Sequence, residues 1–315
     1  MKRIFIVFVL MFFLLLSSCS FDTEVEKKSM YLGSDGYYTI GEYPQSLETD
    51  EAIIERLNNE FYSLNTFIII DGVKYLPQIG MPYDENSCFL NGTPIEENKR
   101  YWFRVEPIKW IPLSYNVKSQ GNTFGSIDEN ENLVYLITKD LLYPSQFSQK
   151  QTTTYVGTER TPIHPSNYGN SLVRNWCTTC HLFNSDEYNA LAVQMKIMES
   201  WVDSETGKTT QIFFLNDKVS VLNYEMYVAE DSIVRFPNAE LKMAHVTDYA
   251  LCLGAKMDSE HRGSYWLSCE NPPSTIGVYA INEVGTIEIK GIIDKRLCIR
   301  PTILLDINKE KNNQN

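Results

Sequence analysis

The sequence predicts an α+β fold of mixed, mostly antiparallel strands with a few helices. Three observations carry this. Short apolar and aromatic runs recur along the whole chain, a hairpin signal (Asp71-Gly72) separates two of them, and helical periodicity is confined to a few short windows. The alternation of strand and helix that marks a parallel sheet is absent.

In chain order, Gly36-Tyr37-Tyr38-Thr39-Ile40 reads as the first strand. Asp50 to Phe61 reads as a helix: Asp50 and Glu51 suit its start, and Ile53, Ile54, Leu57 and Phe61 share one face. Thr66 to Ile70 and Val73 to Leu76 flank the turn. Further strands are expected at Tyr101–Val105, Trp110–Leu113, Leu133–Thr138, Ile212–Leu215, Val219–Leu222, Tyr265–Leu267, Ile276–Ala280 and Leu297–Leu305. Ser185 is a good N-cap, and Tyr188, Leu191, Met195, Met198 and Val202 follow at helical spacing, which predicts a second helix. Val246 to Leu253 predicts a third.

The chain has 315 residues, 43% hydrophobic and 22% charged. That composition excludes a disordered chain, a coiled coil and a polytopic membrane protein. A net charge of −12 leaves no electrostatic footprint for nucleic acid. Between the ends there is no Pro/Gly/Ser-rich linker and no internal repeat, so residues 33–307 are expected to form a single globular domain. Residues 308–315 are a polar tail.

The start of the chain carries its clearest signal. Lys2 and Arg3 precede an apolar run from Ile4 to Leu16, too short to span a bilayer comfortably but suited to a signal-peptide core. Leu16-Ser17-Ser18-Cys19 resembles the lipobox of bacterial lipoproteins. The resemblance implies a signal peptide over residues 1–18, cleavage before Cys19 and a diacylglycerol thioether on Cys19. Residues 19–32 then form a lipidated N-terminus and tether. The implied location is the bacterial cell envelope, with the membrane as a partner through the lipid. Ser20, where an Asp favours inner-membrane retention in enteric bacteria, points to the outer membrane or cell surface.

A second resemblance is spread through the domain. Gly36 to Ser46, Tyr101 to Trp110, Ser171-Leu172-Val173-Arg174-Asn175-Trp176, Asp217-Lys218-Val219, Thr247 to Ala250, Tyr265-Trp266-Leu267 and Ile299-Arg300-Pro301 resemble, in that order, domain-of-unknown-function family 6273. The family consists of secreted and lipid-anchored bacterial proteins, and the resemblance runs from Tyr37 to Leu305. The chain departs from the family at Ser268-Cys269, where Arg is usual, and at Cys177-Thr178, where Leu-Asn is usual. The family is in turn distantly similar to the C-type-lectin-like and formylglycine-generating-enzyme folds, a fold analogy that transfers no function.

Glu106, Arg174, Trp176, Asp248 and Arg300 fall in the matched blocks. One reading makes them a binding surface of charge and aromatic rings. The other makes Trp110, Trp176 and Trp266 core, with Arg174–Glu106 or Arg300–Asp248 as buried pairs.

Six cysteines accompany Cys19, an even number that in an exported chain suggests bridges. Cys177 with Cys180 and Cys252 with Cys269 are the expected pairs. Cys177-Thr178-Thr179-Cys180-His181 also fits the c-type haem attachment pattern, with Met195, Met198 or His245 as a second axial ligand. It is equally three ligands of a zinc site. A redox-active Cys-x-x-Cys normally follows a strand of a βαβ unit, which the local pattern lacks. Cys298 with Cys252 or Cys269 is the only echo of the formylglycine-generating cysteine pair. For calcium-dependent sugar binding, Glu106-Pro107-Ile108 lacks the required Asn, and Asp128 to Asn132 lacks the EF-hand glycine. Gly-x-Ser-x-Gly, His-Glu-x-x-His and P-loop motifs are absent.

The sequence therefore favours a lipid-anchored envelope protein that binds a glycan, peptide or protein, with no assigned cofactor and no catalytic residues. A redox, metal or haem protein using Cys177, Cys180 and His181, and a purely structural envelope component, are the alternatives.

Overall fold

The first strand, β1 (Tyr38–Leu47), turns Tyr38, Ile40 and Tyr43 inward and exposes Thr39 and Glu42. It belongs to a computed structural model that describes residues 32–64, 66–115, 133–149, 152, 154–156, 161–180, 188, 191–202, 209–229, 234–270 and 272–306. Cys19, the signal segment, Asp128 to Asn132, His181, Ser185 and the tail 308–315 lie outside the described residues.

The strands that follow are β2 (Ile68–Ile70), β3 (Val73–Ile79), β4 (Arg100–Tyr115), β5 (Leu133–Thr138), β6 (Tyr143–Pro144), β7 (Thr154–Val156), β8 (Thr161–Ile163), β9 (Ala192–Val193), β10 (Met195–Val202) and β11 (Thr209–Asp217). The series ends with β12 (Val219–Val221), β13 (Ala244–His245), β14 (Arg262–Gly263), β15 (Tyr265–Trp266), β16 (Gly277–Ile281), β17 (Ile287–Gly291), β18 (Cys298–Ile299) and β19 (Pro301–Asp306). Four α-helices are described: α1 (Glu51–Asn59), α2 (Leu172–Thr179), α3 (Tyr224–Val228) and α4 (Asp248–Cys252). The fold is α+β and mostly antiparallel. Among the described strand pairs only β15 and β18 run parallel.

The largest sheet has eight strands in the order β12-β19-β5-β4-β3-β2, with β1 also on β4 and β9 also on β19. At its centre β5 and β19 are buried at every residue. β5 is apolar from Leu133 to Ile137 rather than alternating, as expected of a strand covered on two faces, and β19 carries Ile303-Leu304-Leu305 at its middle. A second sheet of five strands runs β17-β16-β15-β18-β6. The run from Leu297 to Leu305, expected as one strand, divides at Arg300 into β18 of the second sheet and β19 of the first.

The opposite happens in β4. The two strands expected at Tyr101–Val105 and Trp110–Leu113 are one strand of 16 residues. Its two prolines sit beside irregularities. Pro107 faces Glu42 just after a register shift in β1, and Pro112 borders a shift against β5. Gly41, with φ +72°, lies within that β1 shift.

The Asp71-Gly72 turn forms as expected, both residues having positive φ (52° and 81°), and joins β2 to β3. Helix α1 is capped by the Asp50 carboxylate, which accepts from the Ala52 and Ile53 amides. Its apolar face, with Leu57 fully buried, builds a small separate core with Ile70, Tyr75 and Trp102. Phe61 does not join it: the helix ends at Asn59 and Phe61 is 97% exposed.

The helix expected from Ser185 to Val202 is corrected. Tyr188 and Leu191 are helical, but Met195–Val202 is strand β10, paired with β11 from Met195↔Asp217 to Val202↔Thr209. Ile197, Trp201 and Val202 are strand formers, and the Thr209–Asp217 segment is richer still in them. Pairing with that segment outweighs the helical spacing of the window.

Candidate functional site

The second register shift of β1, between Pro44 and Leu47, lifts Gln45 and Ser46 out of the ladder towards Glu106 of β4. The Glu106 Oε2 accepts from the Ser46 amide at 3.1 Å and from its hydroxyl at 2.7 Å. The Gln45 side-chain amide donates to the Glu106 and Pro107 carbonyls. One wall of a cleft is thereby fixed. The facing wall comes from the exit of β5 (Lys139, Asp140) and from β13 with the N-terminus of α4 (His245 to Asp248). Between them lies an open cleft of about 380 Å³, with Leu90 and Lys109 also on its lining.

Asp248 holds this cleft together. It is buried, its Oδ2 accepts from the Leu47 amide at 3.0 Å, and its Oδ1 accepts from the Leu90 amide at 2.8 Å. Hydrogen bonds to a charged acceptor are worth about 1.5–3 kcal/mol each, so this carboxylate is a strong tie between three distant stretches of chain. Thr247 caps α4 by accepting from the Ala250 amide, and its hydroxyl donates to the Leu141 carbonyl.

Arg300 lies behind the cleft, completely buried. Its Nε donates to the Thr138 carbonyl at 2.9 Å. Nη1 donates to the Lys242 carbonyl at 3.0 Å and the Tyr265 hydroxyl at 3.1 Å. Nη2 donates to the Lys139 carbonyl at 3.2 Å and the Leu241 carbonyl at 3.0 Å. All five guanidinium N–H groups are used, with Tyr265 and Phe236 rings beside the cation. The expected Arg300–Asp248 pair is not formed: each group is satisfied by backbone instead.

The expected Arg174–Glu106 pair is also replaced. Arg174, on α2, makes a two-pronged bond to buried Asp217 at 2.8 and 2.9 Å, and its Nη1 donates to the Gly169 carbonyl. Trp176, half-buried, stacks on Tyr143 with ring centroids 5.4 Å apart and meets the edge of Tyr43. Trp110 and Trp266 are fully buried, with indole N–H groups donating to the Ile40 and Ser145 carbonyls. Of the five residues proposed for a binding surface, the cleft gathers Glu106 and Asp248. Arg300 supports it from behind, and Arg174 and Trp176 belong to a separate packing cluster.

Cys88, Cys177, Cys180, Cys252, Cys269 and Cys298 are described as thiols, and the Cys177–Cys180 and Cys252–Cys269 pairings stay sequence expectations. Burial pushes the Cys177 and Cys298 thiols far up and Cys252 up to about 12. Among the described residues no group of three or more His, Cys, Asp and Glu is placed to hold a metal ion. His181, the third member of the haem and zinc patterns, lies outside the described residues.

The sequence reading missed Asp140, Lys139 and Lys109, and named His245 only as an axial haem ligand. Asp140 is half-buried. Burial pushes its carboxyl above the ordinary Asp value, and the charges of Lys139, Arg300, His245 and Lys109 oppose that push. Among the described residues neither the Asp140 carboxylate nor the Lys139 ammonium has an ion pair or side-chain hydrogen bond. Lys139 and Lys109 flank the Tyr37 ring at 5.5 and 5.7 Å, and Lys109 is paired with Asp35 at 2.7 Å. The available signal was positional: a charged Lys-Asp step at the exit of a wholly buried strand.

A second depression, of about 390 Å³, lies between Tyr83 to Cys88 and Leu251 to His261. Its acids are already used. Asp258 is bound by the Arg262 guanidinium and by the Glu260 and Arg262 amides, and Asp84 accepts from Asn86 and Ser87. No helix among the described residues is long and apolar enough to cross a membrane. No family model, curated protein or solved structure matches the chain.

Proposed function

We propose that the chain is a lipid-anchored protein of the bacterial envelope whose domain binds a polar ligand in the cleft between Glu106 and Asp140. The anchoring half of this reading rests on the apolar run ending at Leu16-Ser17-Ser18-Cys19. The binding half rests on one observation. Among the described residues the buried charges of Glu48, Asp217, Asp248 and Arg300 have partners, whereas Asp140 and Lys139 line a cleft of about 380 Å³ with no ion pair or side-chain hydrogen bond. A half-buried carboxylate without a hydrogen bond is destabilising where it stands, and a ligand that supplies donors relieves that cost.

The walls are built to hold still. Glu106 ties β4 to β1, Asp248 ties α4 to β1 and Leu90, and Arg300 holds the β5 exit, all through backbone and hydroxyl groups. A prearranged cleft loses little ordering entropy on binding. The redox and metal reading has less to stand on. Thiols buried like Cys177 and Cys252 are poor nucleophiles, because the thiolate is the reactive form.

Two experiments test the proposal. Intact mass of the protein from native membranes is expected to show a diacylglyceryl adduct on Cys19, and an unmodified chain starting elsewhere contradicts the anchor. Thermal-shift screening of the full protein against amino acids, peptides and sugars is expected to give a saturable rise in Tm that Asp140→Asn removes. Ligands that act equally on both proteins contradict the cleft.

A further inference from the structure

We infer that the cleft takes a small zwitterion, an α-amino acid or short peptide with both ends free, its ammonium group at Asp140 and Glu106 and its carboxylate at Lys139 and His245. This rests on the binding reading above and names its ligand class.

The argument is one of unused capacity. Glu106 spends Oε2 on Ser46 and keeps Oε1. Asp140 keeps both oxygens. Asp248 has an amide on each oxygen. The acceptors left over therefore suit a group with several N–H donors, which an ammonium supplies. On the donor side, the Lys139 ammonium touches the Tyr37 ring but has no ion pair or hydrogen bond among the described residues, His245 brings an exposed imidazole, and Lys109 is already held by Asp35.

Charge sign then narrows the choice. A simple anion at Lys139 meets Glu106, Asp140 and Asp248 across the cleft. A simple cation at Asp140 meets Lys139, Lys109, His245 and the buried Arg300. Each pays like-charge repulsion, and a ligand with both signs a few ångströms apart avoids it. Size agrees: about 380 Å³ is near the small end of ligand cavities, enough for one or two residues. Leu90, Pro107 and Val246 give the ligand side chain apolar contact.

The test is calorimetric titration of the full-length protein in detergent with L-leucine, L-alanyl-L-alanine, N-acetyl-L-alanine, L-alaninamide and methyl α-glucoside. The two zwitterions are expected to bind saturably, and blocking either end is expected to weaken binding by about tenfold or more. Asp140→Asn is expected to remove the preference for a free amine, and Lys139→Met the preference for a free carboxylate. Blocked analogues binding within about twofold of the zwitterions overturn the inference. Binding of the glucoside but of neither zwitterion overturns it too, while the cleft reading stands. No binding by any probe, in protein whose thermal unfolding is cooperative, defeats both.

Discussion

Arg300 and the Lys139-Asp140 step are neighbours, joined by a hydrogen bond from the Arg300 Nη2 to the Lys139 carbonyl, yet they treat charge in opposite ways. The guanidinium is completely buried and every N–H is used. Its acceptors are four backbone carbonyls and one phenol, so it acts as a staple. The chain crosses from one sheet to the other at this residue, and the carbonyls it collects come from the β5 exit and from Leu241 and Lys242. Asp140 and Lys139, by contrast, are only half-buried and have no ion pair or side-chain hydrogen bond among the described residues. Saturated charge in this molecule fixes geometry, while the unsaturated pair faces a cleft whose walls that geometry fixes.

The same rule covers the other buried acids. Glu48 is almost fully buried. Burial pushes its carboxyl up, but the Arg104 guanidinium at 2.7 Å and the Thr49 and Asp50 amides at 2.8 Å outweigh that and hold it below the ordinary Glu value. Asp217 is held by Arg174 and Asp248 by two amides.

The largest effect is expected at the staple. Arg300→Met takes a donor from five acceptors, of which the Lys242 carbonyl keeps the Tyr265 hydroxyl, and a loss of about 3–5 kcal/mol or failure to fold is expected in urea denaturation. Arg300→Lys is expected to recover little, since three donors on a point charge cannot replace a planar fork. Asp248→Ala comes next. It orphans the Leu47 and Leu90 amides, and a loss of about 2–4 kcal/mol is expected, together with faster amide exchange at both positions.

A smaller effect is set by pH. Glu270 is pushed up to about 7 by burial and by the nearby Glu225 carboxylate. Its folded value lies above the unfolded one, so the native state binds more protons between about pH 4.5 and 7. Stability is expected to fall as pH rises through that window and to level off above it. Glu270→Gln is expected to flatten the fall, by on the order of 1 kcal/mol once solvent screening of this half-exposed group is counted. A Tm-versus-pH series of the two proteins checks the sign.

The smallest stability effect is expected at the cleft. Asp140→Asn removes a carboxyl with no ion pair or side-chain hydrogen bond among the described residues, so Tm is expected to stay level or to rise slightly at pH 7.

Much of the architecture was legible because local signals and packing agree there. Asp50 caps α1, Asp71-Gly72 turns the β2–β3 hairpin, and the apolar run of β5 is the sheet centre. Where two periods fitted one window, the partner decided. Met195 to Val202 reads as helix in isolation and is a strand because Thr209 to Asp217 lies beside it. Tyr101–Val105 and Trp110–Leu113 read as two strands and are one, because register shifts against β1 and β5 sit beside Pro107 and Pro112, and such a shift is a property of two strands together. The site was half legible. Glu106 and Asp248 stand in the cleft, but their partners are amides and a hydroxyl that no spacing rule indicates. Lys139, Asp140 and His245 meet only because β5 and β13 end at the same place, through the Leu141–Val246 bridge.

The most direct measurement pairs two readouts on Asp140→Asn: urea denaturation and calorimetric titration with L-alanyl-L-alanine. The account predicts unchanged or slightly higher stability with binding weakened by about tenfold or more. Unaltered binding, or a stability loss like that expected of Arg300→Met, would contradict it.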